Sequence, residues 1–322
     1  NGGRLMELVD KLSNRQYIDG EWVESSNKNT RDIINPYNQE TIFTVAEGTK
    51  EDVERAILAA RRSFEDGEWS LETSEVRGKK VRAVADKIKE NREELAKLET
   101  LDTGKTLEES YADMDDIHNV FMYFAGLADK DGGEIINSPI PNAESKVVKE
   151  PVGVVTQITP WNYPLLQASW KIAPALATGC SLVMKPSEIT PLTTIRVFEL
   201  MEEVGFPKGT INLVLGAGSE VGDVMSGHEE VDLVSFTGGI ETGKHIMKQA
   251  ANHVTDVALE LGGKNPNIIF DDADFELAVD QALNGGYFHA GQVCSAGSRI
   301  LVHNDIKDKF EKALIDREIG RA

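Results

Sequence analysis

Apolar residues recur along this chain in two rhythms. Tyr17–Val23 and Thr41–Val45 alternate apolar and polar positions, as short strands do, and Asp19-Gly20 between the first set is a hairpin turn signal. Val53, Ile57, Ala60 and Phe64 then return every three to four residues. Val81, Val84, Ile88, Leu95 and Leu98 do the same, and Ile117, Val120, Phe121 and Phe124 predict a further helix. Gly132-Gly133, Pro139 and Pro141 predict a linker or an excursion from the body.

From Pro151 onward the rhythm changes. Val152–Thr159, Ser181–Lys185, Ile211–Leu215, Leu233–Thr237, Val257–Leu261 and Asn267–Phe270 read as strands, the first of them buried. Leu165–Ala177, Thr193–Val204, a short stretch after Gly218 and Gly243–Ala251 read as the helices between them. Strands and helices alternating at this pace predict an α/β fold with a parallel sheet covered on both faces. Ligands of such sheets sit beyond the carboxyl ends of the strands. Polar clusters fall at those ends here: Pro160-Trp161-Asn162, Lys185-Pro186-Ser187-Glu188, Gly216-Ala217-Gly218 and Thr237-Gly238-Gly239.

Two glycine-rich turns invite a phosphate. Gly216-Ala-Gly218-Ser-Glu-Val-Gly222 has one spacer too many for the dinucleotide fingerprint and reads more readily as a plain strand-to-helix turn than as a cofactor contact. Gly238-Gly-Ile-Glu-Thr-Gly243-Lys244-His245 matches a P-loop except that His stands where Ser or Thr would hold Mg²⁺. Glu241 would also repel phosphate, so nucleotide hydrolysis is disfavoured. The segment still opens a helix directly after a strand, where backbone amides and the positive dipole end suit a pyrophosphate.

Composition narrows the classes. The 322 residues exceed the commonest domain size, predicting two or more domains. With 34 basic and 54 acidic side chains the formal charge is −20, and no dense basic stripe offsets it, which argues against nucleic acid. No apolar run approaches the roughly 20 residues of a membrane helix. Two cysteines, Cys180 and Cys294, do not make a disulfide framework, so a reducing cytoplasm is expected. No metal site is expected.

The cysteines differ in setting. Cys180 leads into a buried strand and reads as inert, whereas Cys294 lies among small residues in Gly291-Gln-Val-Cys294-Ser-Ala-Gly297, which favours access. A nucleophilic thiol needs a base and an oxyanion donor. His289, five residues away, would leave the helical face carrying Cys294. Glu260 is the better candidate: it ends the apolar run Val257-Ala-Leu-Glu260-Leu, where a carboxylate needs a task or a partner, Lys264 being the bland alternative.

Pro160-Trp161-Asn162-Tyr163-Pro164, Lys185-Pro186-Ser187-Glu188, Phe236-Thr237-Gly238, Glu260-Leu261-Gly262-Gly263-Lys264 and Gly291-Gln292-Val293-Cys294 occur in that order. Together they resemble the aldehyde dehydrogenase superfamily, from Tyr17 to about Lys312. The resemblance implies a Rossmann-type parallel-sheet NAD-binding domain over 1–131 and 152–262. It also implies an oligomerisation excursion over 132–151 and the beginning of a second α/β catalytic domain over 263–322. It implies NAD as cofactor, a small-molecule aldehyde as substrate and a homo-oligomer.

By the same resemblance, Cys294 attacks the aldehyde to give a thiohemiacetal, hydride passes to NAD⁺ to leave a thioester, and Glu260 activates the hydrolytic water. Asn162 and the Cys294 amide form the oxyanion hole. Lys171 matches a charge-relay position, its bland alternative being an exposed helix lysine. Lys185 and Glu188 correspond to residues that hold the adenosine ribose, and the acidic Glu188 disfavours a 2′-phosphate. Thr237, Gly238 and Gly239 lie at the pyrophosphate, and Ile158, Thr159 and Trp161 line the cofactor cleft. Pro160, Ser187, Gly218, Gly222, Phe236, Leu261 and Gly262 complete the expected cofactor set. Tyr163 and Trp170 match aromatic positions of the pocket in members that oxidise betaine aldehyde, where ring faces hold a quaternary ammonium.

The family runs longer. The later Glu-x-Phe-Gly-Pro segment, most of the catalytic domain and the final subunit-joining strand are missing, so the chain reads as C-terminally truncated. Two expectations therefore stand side by side: an NAD-dependent aldehyde dehydrogenase, or a non-catalytic NAD-binding fragment of one. They part on turnover.

Overall fold

The computed structural model describes residues 7–319. Strands β1 (Gln16–Ile18) and β2 (Glu21–Val23) form the expected hairpin, and β3 (Thr30–Ile34) pairs antiparallel with β4 (Thr41–Ala46). The hairpin turn puts Asp19 at φ 54° and Gly20 at φ 79°, the left-handed pair that a two-residue turn of this hand requires. Helices α1 (Lys50–Asp66), α2 (Ser74–Glu90), α3 (Arg92–Thr103) and α4 (Leu107–Leu127) follow. The apolar spacing from Val81 to Leu98 belongs to two helices, because Asn91, at φ −103° and ψ 18°, ends α2 and starts α3. Strands β5 (Glu134–Ile136) and β6 (Ser145–Val147) make an antiparallel ribbon in the Gly/Pro-marked excursion.

The chain then alternates through β7 (Val154–Ile158), α5 (Pro164–Thr178), β8 (Ser181–Lys185), α6 (Leu192–Val204), β9 (Ile211–Leu213), α7 (Gly218–Gly227), β10 (Leu233–Gly238), α8 (Ile240–Ala250) and β11 (Asp256–Leu261). The first strand begins two residues later than its sequence pattern suggests, leaving Val152 exposed. The seven-stranded sheet runs β11-β10-β7-β8-β9-β1-β2, with β10, β7, β8 and β9 mutually parallel and β1 antiparallel to β9. Every residue of β7 and β8 is buried, the mark of strands covered on both faces. Among the described residues no helix is long and apolar enough to cross a membrane.

The chain divides into two compact units, Asn1–Leu259 and Glu260–Ala322, the boundary falling inside β11. The second unit is a small βαβ element. Strand β12 (Pro266–Ile269) lies parallel to β13 (Arg299–Val302), with helices α9 (Phe275–Tyr287) and α10 (Lys307–Ile319). Ile269, Val279, Ala282 and Phe310 form its core.

In the first unit the start of each helix after β7 and β8 is tied to a buried acid of α3. Glu99 accepts the Leu165 backbone N–H at the beginning of α5 and faces the Thr193 hydroxyl of α6 at 3.5 Å. Asp102 Oδ2 accepts the Leu192 N–H, the first residue of α6, at 3.0 Å. Neither α5 nor α6 carries a side-chain cap on its own N-cap residue, so these carboxylates satisfy donors that would otherwise be orphaned. A third element enters below them: Lys105 Nζ, fully buried, pairs with Asp113 Oδ2 of α4 at 2.6 Å.

Burial dominates the titration of these acids. It pushes Glu99 up to about 7, with the neighbouring Lys105 ammonium only partly opposing it, and raises Asp102 and Asp113 in the same direction. A carboxyl whose folded value is raised binds its proton more tightly in the native state. The contribution of Glu99 is therefore fully present below its ordinary value of 4.5 and is lost as pH rises through about 7. We expect Glu99→Gln to flatten the fall in urea-unfolding free energy between about pH 5 and about pH 8, by about 2 to 3 kcal/mol. An equal or steeper fall in the variant would contradict this account.

Candidate active site

Register brings four loops to one edge of the sheet. Phe236 of β10 is level with Ile158 of β7, Ile158 with Lys185 of β8, and Met184 with Leu213 of β9. The order of the parallel strands reverses between β7 and β10, so the segments leaving them flank a topological switch point. Ile158, Thr159, Pro160 and Trp161 leave β7, and Phe236, Thr237, Gly238 and Gly239 end β10. Lys185, Ser187 and Glu188 follow β8, and Gly218 and Gly222 lie on α7 after β9.

Lys185 stitches these loops together. Its buried ammonium donates to the carbonyls of Pro186 at 2.9 Å and Gly216 at 3.0 Å and lies 3.6 Å from Glu188 Oε2. Burial pulls its pKa below the ordinary lysine range, against the pull of Glu188. The Lys185 carbonyl in turn accepts the Thr159 N–H at 3.2 Å. Gly216 adopts φ 139°, and a Cβ there would meet the Gly48 carbonyl at 2.9 Å, so this turn requires glycine for close packing. The Ala217 N–H at the start of α7 is taken by Glu47 Oε1 at 3.1 Å.

Thr237 is buried and donates its hydroxyl to Gln167 Oε1 of α5 at 3.0 Å. Gly239 is the N-cap of α8, has no side chain to satisfy the helix's first N–H groups and has open space where a Cβ would stand. Lys244 and Gly243, which a P-loop would wrap around phosphate, lie within that helix instead, and Lys244 donates to Glu241 Oε1 at 2.8 Å. The P-loop match is therefore accidental.

At the start of α5, Asn162 Oδ1 accepts the Tyr163 N–H at 3.1 Å. Tyr163 stacks over Lys105, whose Nζ lies 4.0 Å from the ring centroid. Trp161 and Trp170 are exposed. Lys171 is not the exposed helix lysine of the bland reading. It is 7 % exposed, donates Nζ to Ser235 Oγ of β10 at 3.1 Å, and its carbonyl accepts from Gln157 Nε2 of β7 at 2.9 Å.

In the second unit, Cys294 lies on a turn rather than on a helix, so helical spacing from His289 does not apply. Its thiol is exposed, whereas Cys180 is buried. Asn265 Nδ2 donates to the carbonyls of Cys294 at 2.8 Å and Ala296 at 3.2 Å, and the Gly297 N–H reaches the Gly285 carbonyl at 2.9 Å. The thiol turn is thus tethered by its flanking backbone. His289 is buried in a left-handed conformation, φ 49°. Glu260 does not end a buried strand: β11 is the outer strand of the sheet, its residues alternate exposed and half-buried, and Glu260 is on the exposed set. Among the described residues it forms no ion pair with Lys264. Leu261 is half-buried and Gly262 exposed beside it.

Asn265 and Gln167 are the polar contacts that sequence reading passes over. Asn265 directly follows the Glu260-Leu261-Gly262-Gly263-Lys264 motif, where a carboxamide beside Pro266 was a usable signal. Gln167 had none, being one of several polar residues on α5, among them Ser169 and Lys171.

The aldehyde dehydrogenase family model matches residues 22–318. Betaine aldehyde dehydrogenase of Bacillus subtilis is 65% identical over 306 residues, covering 95% of this chain and 62% of that protein. Betaine aldehyde dehydrogenase 1 of rice, Oryza sativa subsp. japonica, is 47% identical over 305 residues, 93% of this chain and 60% of its own length. The crystal structure of betaine aldehyde dehydrogenase from Staphylococcus aureus in complex with NAD⁺ superposes with a TM-score of 0.97 at 89% identity, covering 98% of this chain and 63% of that one. The chain thus spans less than two thirds of the length of these relatives. Motif order, a parallel α/β sheet with its loops gathered at one edge, and a match over nearly all of its residues agree: the chain belongs to the aldehyde dehydrogenase family.

Proposed function

We propose that the protein is an NAD-dependent aldehyde dehydrogenase that oxidises betaine aldehyde to glycine betaine. The observation that carries this reading is the exposed thiol of Cys294 on a turn tethered by Asn265. A thiol held in the open by its backbone suits a nucleophile, and the identity to betaine aldehyde dehydrogenases supports the substrate.

The loops at the sheet edge fit a dinucleotide. Thr159 Oγ1 is buried without a hydrogen-bond partner, and the uncapped start of α8 at Gly239 offers backbone N–H groups with room beside them. Thr237, Gly238 and Gly239 would hold the pyrophosphate, Lys185 and Glu188 the adenosine ribose, and Ile158, Thr159, Pro160 and Trp161 the cleft wall. Ser187, Gly218, Gly222, Phe236, Leu261 and Gly262 are proposed as the remaining cofactor contacts. The nicotinamide, when bound, supplies the two-electron oxidant.

Cys294, as thiolate, attacks the aldehyde carbon, and the carbonyl oxygen becomes an oxyanion. Asn162 donates an amide N–H to that charge, a type of contact worth about 3 kcal/mol. Lys171, on α5 itself, anchors that helix to β10 through Ser235. After oxidation to the thioester, Glu260 takes a proton from water, whose oxygen attacks the acyl carbon and releases carboxylate and thiol. Tyr163 and Trp170 present ring faces to the trimethylammonium group. A homo-oligomer joined through the 132–151 excursion is supported by the exposed Ile135, Ile136, Ile140, Val147 and Val148 on and around the β5–β6 ribbon. A cytoplasmic setting and a role in glycine betaine biosynthesis accompany this reading.

The sheet-edge loops lie in the first unit and would serve equally in a second reading, an NAD-binding module that does not turn over. Activity separates the two. We expect the native gene product to generate absorbance at 340 nm from NAD⁺ and betaine aldehyde, and Cys294→Ser to reduce it to background; cofactor binding without that signal supports the module. Glu260→Gln should slow steady turnover by about 10²- to 10⁴-fold while an acyl-enzyme accumulates, detectable as a mass increment on Cys294. A full steady rate would remove Glu260 from the mechanism. Glu188→Ala should narrow the preference for NAD over NADP by about tenfold, read as the ratio of the two dissociation constants. An unchanged ratio would exclude Glu188 from ribose recognition.

A further inference from the structure

Helix α5 is joined to strand β10 at two points. Gln167 Oε1 accepts the hydroxyl hydrogen of Thr237 at 3.0 Å, and Lys171 Nζ donates to Ser235 Oγ at 3.1 Å. The spacings match: four residues along a helix and two along a strand each advance about 6 to 7 Å, so one face of α5 meets one face of β10 in register. Gln167 and Thr237 are both buried, where water replaces a lost partner poorly. Thr237 stands next to Gly238 and Gly239, at the turn from β10 into α8.

A threonine hydroxyl has one hydrogen and two lone pairs. Gln167 takes the hydrogen, so toward a ligand this hydroxyl acts as an acceptor. The pyrophosphate placed at the same turn is itself an acceptor, and the backbone N–H groups at the uncapped start of α8 serve it. The groups of a dinucleotide that suit Thr237 Oγ1 are its donors, a ribose hydroxyl or the nicotinamide carboxamide. We propose that Gln167 is a positioning residue for the cofactor, fixing the Thr237 hydroxyl as the acceptor of a hydrogen bond from NAD⁺. This rests on Thr237 lying at the bound cofactor. Threonine is stiff at χ1, but its hydroxyl hydrogen turns freely unless a partner holds it. Without Gln167 that hydrogen competes with the incoming donor for the space beside the oxygen. Gln167 acts only through Thr237.

The test measures dissociation constants calorimetrically on the native gene product, for NAD⁺ and for ADP-ribose, which lacks the nicotinamide, so the readout does not depend on turnover. Gln167→Met keeps the length of the side chain and removes the carboxamide; it should raise the NAD⁺ constant about three- to tenfold. Gln167→Leu should do the same and guards against misfolding of the first variant. Thr237→Val should weaken NAD⁺ by a similar factor, and Thr237→Ser, which keeps the hydroxyl, should stay within about twofold. The double variant of Gln167→Met and Thr237→Val should bind no more weakly than Thr237→Val alone, because Gln167 then has nothing to orient. An equal loss for ADP-ribose identifies the donor as a ribose hydroxyl, and a loss confined to NAD⁺ identifies it as the carboxamide. If Thr237→Val binds NAD⁺ as tightly as the parent, Thr237 lies away from the cofactor, and that placement falls together with the proposal. If Thr237→Val weakens binding while both Gln167 variants leave it unchanged, or if the two losses add in the double variant, the positioning role is overturned and the cofactor placement survives.

Discussion

Two helices in this protein start where nothing in their own sequence can satisfy their first amides, and two buried carboxylates of α3 do it instead. Glu99 takes the amide of Leu165 and Asp102 that of Leu192. The competition is between desolvation, which favours the neutral acid, and the helix N-termini, which favour the anion. Burial wins in both cases, since both carboxyls are raised. A buried amide left unsatisfied costs about 1 to 3 kcal/mol, enough to make these contacts decisive for where α5 and α6 begin. The segments after β7 and β8, which carry most of the family motifs, are positioned by that choice.

The same economy of contacts runs along the sheet edge. A single ammonium, that of Lys185, ties the loop after β8 to the turn after β9, and its carbonyl ties it to the segment after β7. These loops behave as one piece: a change in any of them is felt through Lys185 by the others. Lysine suits this task because three donors on one nitrogen can reach separate acceptors.

Much of this organisation could be read from residue order. Period-two and period-3.6 patterns located the strands and helices to within a few residues; β7 and β8 are buried on both faces and mainly apolar, although they also enclose Thr156, Gln157, Ser181 and Lys185. The motif positions told where the polar loops fall, since ligand-facing residues of a parallel sheet follow its strands. Local pattern failed where partners are distant in sequence. Lys171 sits on a helix and resembles an exposed lysine, yet Ser235, 64 residues later, receives it in the interior. Glu260 follows an apolar run that suggested burial, but a strand at the margin of a sheet has one neighbour and leaves half its side chains in solvent. The link between α3 and the starts of α5 and α6 spans 66 to 94 residues, and no spacing rule reaches that far.

The acids under α5 and α6 also change how the charge of the molecule should be understood. The formal value of −20 counts every carboxyl as ionised. Glu99, Asp102, Asp113 and Glu199 are all displaced upward by burial. Burial thus opposes ionisation at these four positions, and Glu99, pushed up to about 7, exchanges its proton where solvent-facing carboxyls have finished titrating. Glu99 is thereby an interior group that takes up and releases its proton near neutrality, a range histidines ordinarily serve.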